Sequence, residues 1–409
     1  MLKKILKGIG FLFLIAIIIA SYLIYNIINQ HNKLLSGELI NETVLEEIPF
    51  TYSSTGHMLI QVKIEGSNQS YPFILDSGAS NFIFSNHLNE FDLNSNGYGI
   101  GLGANGNFFL TKIRKIDSLQ IGKIKFKNLN ANQKDFNFSC SENVYGLIGI
   151  GVMHHLVWQI DFKNKTILIS KKLENLSFGE NKIEIPLLKN ERSNHLNAVI
   201  QFKKNGKTKS ALVDLGSNTN LTIQEKTILR DSLPLNSKNI KGTSSQGLGG
   251  ESSSDSNEKI YLLDSLFFNK TNYSVIKFPI NSTPAGLSLL GLGFFENYKT
   301  TISWEDKKLI LEPYDSVQNF IWNTAGFSTK YDKDLQKVII KSITENTAAS
   351  DSKIPLNAEI ISINEYLFTD EASYCNYREA KIKPDTLNLK VKDSTGIIKE
   401  FQIIKQPVF

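Results

Sequence analysis

From about residue 45 to residue 315, apolar positions recur with a period near two, in short runs that stop at glycine-bearing turns. Tyr71-Pro72-Phe73-Ile74-Leu75 is an unbroken apolar run of strand length, and Ile121-Gly122-Lys123-Ile124-Lys125-Phe126 alternates. Both patterns predict strands with at least one buried face. Glycines at 97, 99, 101, 103 and 106 punctuate them. Helical periodicity never extends beyond a few turns, and only His87 to Phe91 and Gln224 to Arg230 predict short helices. The body is therefore expected to be mainly β.

The N-terminus has a different pattern. Lys3, Lys4 and Lys7 precede an uncharged stretch from Gly8 to Gln30. As a helix its 23 residues reach about 35 Å, enough for a hydrocarbon core of about 30 Å. The expectation is a single-pass anchor, with residues 1–32 as cytoplasmic tip and membrane span and residues 31 to about 45 as a short stalk. The lysines before the span place the N-terminus inside and the body outside the cytoplasm. A cleaved signal peptide is the alternative, although Tyr22, Ile24 and Tyr25 carry the apolar run past Ala20.

The chain also repeats itself, a signal that outranks local pattern. Asp76-Ser77-Gly78-Ala79-Ser80 returns 138 residues later as Asp214-Leu215-Gly216-Ser217-Asn218, each after an apolar run. His57 and His195 each lie 19 residues before their aspartate, and the two copies align between them without a gap. Leu147-Ile148-Gly149-Ile150-Gly151 matches Leu289-Leu290-Gly291-Leu292-Gly293. Gly101-Leu102-Gly103 has its counterpart in Gly247-Leu248-Gly249. One loop from each copy supplies one carboxylate. Two carboxylates held together cannot both ionise easily, so one proton is shared and one group serves as acid while the other serves as base. Asp76 and Asp214 are the candidate catalytic pair, with Ser77, Gly78, Leu215, Gly216 and Ser217 as loop support. A lone Asp in a glycine turn would be read as a turn; the duplication changes that.

These residues resemble the retropepsin-like and pepsin-like aspartic proteases over roughly residues 50 to 312. Asp76-Ser77-Gly78 is similar to that family's catalytic loop, and Leu147-Ile148-Gly149 and Leu289-Leu290-Gly291 to its hydrophobic-hydrophobic-Gly segment. Gly101 to Phe108 and Gly247 to Ser252 resemble its flaps, making Gly101, Gly103, Gly247 and Gly249 flap candidates. The resemblance implies two β lobes, at 33–185 (stalk included) and 186–316, facing each other across a cleft, with endopeptidase activity on protein or peptide substrates and no cofactor. Leu215 departs from it. The family places Thr or Ser there, whose hydroxyl bonds across the lobes, so a protease-fold scaffold that binds peptides without turnover stays open as an alternative.

After Glu312-Pro313-Tyr314 the repeat ends. Ala325-Gly326-Phe327-Ser328, Asn346-Thr347-Ala348-Ala349 and Ile360 to Asn364 together resemble a PDZ domain over 320–409, a small α+β unit. That resemblance implies capture of a peptide C-terminus at a sheet edge, with Gly326 and Phe327 as carboxylate-binding candidates. A lid or docking module without peptide binding is the alternative.

Composition narrows the rest. Of 409 residues, 21% are charged and the net charge is +5. No basic stripe interleaves with aromatics, which argues against nucleic acid. Six histidines show no paired-ligand spacing, and His154-His155 read as surface or capping residues rather than a metal site. Cys140 and Cys375 are the two cysteines. They fall in different predicted units, so a disulfide between them is not expected, and Cys140, after Phe136 and Phe138, is expected to pack as a small hydrophobe. Abundant Asn, Lys and Ile with this domain order suggest a bacterial source, which would make the body periplasmic in a two-membrane cell.

Overall fold

The computed structural model describes residues 2–65, 67–135, 139–141, 143–204, 206–230, 236–243, 246–251, 258–316, 318–380 and 384–409. Phe136, Phe138 and Ser252 lie outside the described residues. The body is mainly β. In the first lobe, Gly146–Ile148 runs parallel to Tyr71–Leu75 and antiparallel to Phe82–Phe84. Every residue of Gly146–Ile148 and Phe82–Phe84 is buried, as expected of inner strands covered on both faces. The second lobe repeats the arrangement, with Leu289–Gly291 threaded between Lys209–Asp214 in parallel and Leu221–Gln224 antiparallel. The lobe core is continuous across both copies and includes Phe73, Trp158, Leu215, Phe294 and Trp304.

Long-range pairing joins the lobes. Val157–Asp161 pairs antiparallel with Tyr298–Ser303, its equivalent in the repeat. Leu45–Pro49 and Thr166–Ser170 extend this sheet on one side, and Lys308–Pro313 and Ile183–Lys189 on the other. The boundary expected at 185/186 falls inside Ile183–Lys189, a strand that pairs with Lys308–Pro313 and then with Leu196–Gln201. The expected stalk does not form. Glu38–Leu39 pairs with Ile124–Lys134 and Leu45–Pro49 enters the interlobe sheet, because these backbone donors and acceptors find sheet partners there instead of water.

Leu2–Leu34 is one helix of 33 residues, with Phe11, Phe13, Ile17, Tyr22 and Tyr25 exposed. Among the described residues no helix is long and apolar enough to cross a membrane; within this helix positions 2–8, 10, 12, 19, 23, 26 and 27 are described by their backbone alone. The last turn docks on the body: Lys33 Nζ donates to Asn96 O at 3.0 Å and His31 Nε2 lies 3.2 Å from Arg192 O. The two expected short helices occur as a 3-10 helix at Ser85–Glu90 and an α-helix at Glu225–Arg230.

The C-terminal unit has its own core, including Tyr331, Ile340, Ile360, Tyr374, Leu389 and Ile403. Strands Phe327–Asp332, Lys337–Thr344, Glu359–Ile363, Thr386–Lys392 and Ile398–Ile404 form its sheet, with helix Glu371–Glu379 beside it. It is not free of the lobes. Asn236–Gly242 pairs with lobe strand Lys259–Phe268 through its first half and with Lys337–Thr344 through its second. The expectation of unpaired cysteines is corrected here: Cys140 and Cys375 form a disulfide, 235 residues apart in sequence. The first lobe sends residues 139–141 onto the C-terminal unit, where Ser139 Oγ donates to Tyr331 O at 3.0 Å and Cys140 N to Glu371 Oε1 at 3.2 Å. Separate units along the chain are neighbours in space.

Candidate active site

Each aspartate sits at the end of a buried strand, where the chain turns sharply. Gly78 N donates to Asp76 Oδ1 at 2.8 Å and Gly216 N to Asp214 Oδ1 at 2.9 Å. Ala79 and Ser217 add backbone donors to the same carboxylates. The two loops face one another. A Cβ placed on Gly216 would lie 2.4 Å from Asp76 Cγ, and one on Gly78 would lie 2.6 Å from Asp214 Cγ. Glycine is therefore required twice by close approach, not by backbone angle. The hydrophobic-hydrophobic-Gly segments brace these loops from behind, with Ile150 N donating to Ala79 O at 2.8 Å and Leu292 N to Ser217 O at 2.6 Å.

The two carboxyls stand close enough to act on each other's titration. Burial raises the pKa of both, and at Asp214, which ends well above the carboxylate range, the charge of Asp76 adds to it. Backbone donors pull the other way without cancelling burial. Groups coupled in this way titrate as a pair and not as two separate carboxyls.

Beneath the pair, Ser77 spans the lobe boundary. Its Oγ donates to Val213 O at 2.8 Å and accepts from Leu215 N at 3.0 Å. Leu215 is fully buried and apolar, so no hydroxyl returns from the second lobe. The support is one-sided, as the sequence pattern at 215 implied. Of the remaining loop residue, Ser217, the hydroxyl turns to Thr219 Oγ1 at 3.1 Å.

The flap candidates meet at their tips. Ser95–Leu102 and Phe108–Ile121 form a long hairpin carrying Gly101 and leading to Gly103, while Gln246–Gly247 and Gly250–Glu251 form a short one around Gly249. Asn105 Nδ2 donates to Gly249 O at 3.3 Å, and a Cβ on Gly103 would lie 2.6 Å from Gly249 Cα. Phe109 of one hairpin, Leu248 of the other and Ala79 of the first Asp loop all pack against one buried apolar cluster that includes Ile74, Phe82 and Leu147. A Cβ on Gly247 meets nothing.

Residues 60–152 match a family model described as aspartyl protease. The match covers the first loop, the long hairpin and Leu147-Ile148-Gly149, and the likeness to that family is confined to this portion. No curated protein matches the chain.

In the C-terminal unit, Gly326 is held at φ +86 with Thr347 where a Cβ would stand, and its N–H donates to Thr324 Oγ1 at 2.9 Å. In this structure the Gly326 amide, a carboxylate-binding candidate, is therefore bonded within the unit. Phe327 opens the strand beside Ile343. Farther along, Thr329 O accepts from Tyr374 OH at 3.0 Å, and Tyr331 O takes Ser139. His154 caps a short helix through Nδ1 to Ile150 O, 2.6 Å away, while His155 buries its Nε2 without a partner instead of facing solvent. The sequence pattern did not assign a role to His57 and His195, although the repeat marked both.

Proposed function

We propose that this chain is an aspartic endopeptidase that hydrolyses peptide bonds with water held between Asp76 and Asp214. The ionised carboxylate takes a proton from water as it attacks the scissile carbonyl, and the protonated carboxyl donates to the carbonyl oxygen. The tetrahedral diol then collapses, one carboxyl passing its proton to the departing nitrogen while the ionised carboxylate takes a proton from a diol hydroxyl, which breaks the C–N bond and restores the singly protonated pair. No covalent enzyme intermediate is needed. One observation carries this reading: each loop glycine packs against the opposite lobe's carboxylate, which brings two buried acids together with a shared proton. The expected result is that Asp76→Asn and Asp214→Asn each abolish cleavage of a peptide library while remaining folded. Wild-type rates in either variant would refute the mechanism.

Leu215 supports a second reading, a peptide-binding scaffold of low turnover. It predicts peptide binding by wild type without cleavage.

The C-terminal unit is proposed as a brace for the lobes before it is a peptide receptor. The disulfide, the shared strand Asn236–Gly242, the Lys330 to Glu251 ion pair at 3.2 Å and the Arg378 contacts to Ser54 O all tie it to the lobes. PDZ-like capture of a peptide C-terminus would have to displace Ser139 and Tyr374 from the strand edge. Tighter binding of free than amidated C-termini is the result that would favour capture. We further propose that the N-terminal helix anchors the body outside the cytoplasm; the disulfide supports an oxidising compartment. Protection of a C-terminal tag inside intact cells from added protease after outer-membrane removal would refute that orientation.

A further inference from the structure

We infer that Arg378 is a positioning residue for the Asp214 loop, acting from the C-terminal unit through one turn of the first lobe. The inference deepens the endopeptidase reading and rests on it for the kinetic readout only.

Residues 53–56 turn the chain between the antiparallel strands Thr51–Tyr52 and Met58–Ile64. Ser53 N donates to His57 O and Gly56 N to Ser53 O, both at 2.9 Å. Gly56 stands at φ +87, a left-handed angle that glycine adopts without strain. Two successive carbonyls of this turn bond two other parts of the molecule. Ser54 O accepts from Arg378 Nε at 3.2 Å and from Nη2 at 3.0 Å. Thr55 O accepts from Asn218 Nδ2 at 2.7 Å, and Asn218 closes the loop that begins at Asp214. The C-terminal unit and the second lobe's aspartate loop therefore grip adjacent peptide units of the first lobe.

Arg378 is itself held. Its Nη1 donates to Tyr374 OH at 3.3 Å, one helical turn back on Glu371–Glu379, and Tyr374 OH donates to Thr329 O at 3.0 Å. A planar guanidinium fixed at one edge, giving two bonds from another to a single oxygen, leaves that oxygen little freedom. Ser54 is held at its hydroxyl as well, which donates to Cys140 O at 3.1 Å beside the disulfide. The second copy of the repeat is the comparison. Its turn closes with Asn190 N donating to His195 O at 2.8 Å. Three residues before that histidine, as Ser54 is before His57, Arg192 O takes a donor from outside the lobes, His31 Nε2 at 3.2 Å. The next link differs. Ser80 occupies in the first loop the position of Asn218 in the second, and its Oγ accepts from Asn132 Nδ2 at 2.8 Å within its own lobe. Asn218 instead crosses to the opposite turn, so an outside hold on residues 53–56 reaches an aspartate loop directly.

The test is a double-mutant cycle in the full chain, read by kcat and KM on a peptide substrate and by amide hydrogen exchange over Leu215 to Asn218, each beside an unfolding curve. Arg378→Met keeps the apolar stem and removes the guanidinium, and Asn218→Ala removes the donor to Thr55 O. Each should lower kcat about fivefold with KM held, the scale of one hydrogen bond, and each should speed exchange in the loop. Effects by separate routes would multiply to about 25-fold, whereas effects through the one turn should leave the double variant near about fivefold. Arg378→Lys keeps the charge and a single donor and should recover part of the loss. His31→Ala removes the outside donor from the second turn, which Ser80 does not grip, and should leave kcat and loop exchange within about twofold of wild type. A folded Arg378→Met with wild-type kcat and loop exchange overturns the inference, as does a multiplied loss in the double variant or an equal loss in His31→Ala. If Arg378→Met does not fold, Arg378→Lys completes the same cycle with Asn218→Ala. A wild type that cleaves nothing overturns the endopeptidase reading, and loop exchange still decides this one.

Discussion

Replacing Ser77 with Ala would remove the hydroxyl that bonds across the lobe boundary beneath the aspartates, and the geometry sets the cost. Ser77 Oγ donates to Val213 O and accepts from Leu215 N, at 2.8 and 3.0 Å. All three residues are at most 2% exposed, so water cannot replace the hydroxyl. Each lost bond is worth about 1 kcal/mol, and a buried group left unpaired adds about 1–3 kcal/mol. With two bonds lost, Ser77→Ala should therefore lose about 3–5 kcal/mol, read as a lower urea midpoint at an unchanged slope. Ser77→Thr keeps the hydroxyl and should lose less than about 1.5 kcal/mol. The repeat supplies a sharper arm. Leu215→Thr puts a hydroxyl at the matching position on the other side, where the pseudo-symmetric partners are Leu75 O and Ser77 N. Leu215 is fully buried, so the apolar atoms removed cost about 2 kcal/mol, and two new bonds return a similar amount. Leu215→Thr alone should be near neutral in stability, and the same change in the Ser77→Ala background should not rescue Val213 O or Leu215 N. A Ser77→Ala loss below 1 kcal/mol would refute the claim that this hydroxyl ties the lobes.

Gly216→Ala would drive a Cβ to 2.4 Å from Asp76 Cγ; separation of the loops should abolish cleavage and shift the carboxyl titration, and retained activity would contradict the face-to-face packing. Cys375→Ser opens a covalent link across 235 residues, a loss of about 2–5 kcal/mol, and hydrogen exchange should rise over Phe327–Asp332 and Glu371–Glu379; unchanged protection would mean the brace does not depend on it. Burial pushes His57, His155 and His195 down to about 4 from 6.5. The unfolded chain then binds more protons between these values, so stability should fall as pH drops from about 6.5 towards 4, by a few kcal/mol in all, and His57→Gln should shallow the slope of Tm against pH; an identical slope would show that His57 contributes nothing to it.

The strand-rich body, the two Asp-containing loops and their equivalence were legible in the sequence because each is local or a repeat. A run such as Phe73-Ile74-Leu75 needs burial on both faces wherever it lies, and two copies of one pattern imply two copies of one shape. Contacts between the copies were not legible. Nothing in the spacing shows that Asn218 Nδ2 donates to Thr55 O across the lobes, although the missing hydroxyl at Leu215 was visible and implied support from Ser77 alone. The C-terminal resemblance found a compact unit but missed its attachments, since one strand, Asn236–Gly242, divides its pairing between two sheets and Cys140 crosses from the first lobe to meet Cys375. The N-terminal helix was visible as an uncharged run, whereas its seat at Asn96 and Arg192 was not. Hydrophobic period specifies which face of an element is buried, and it is silent on which distant element does the burying; that choice is made by the packing of the whole chain.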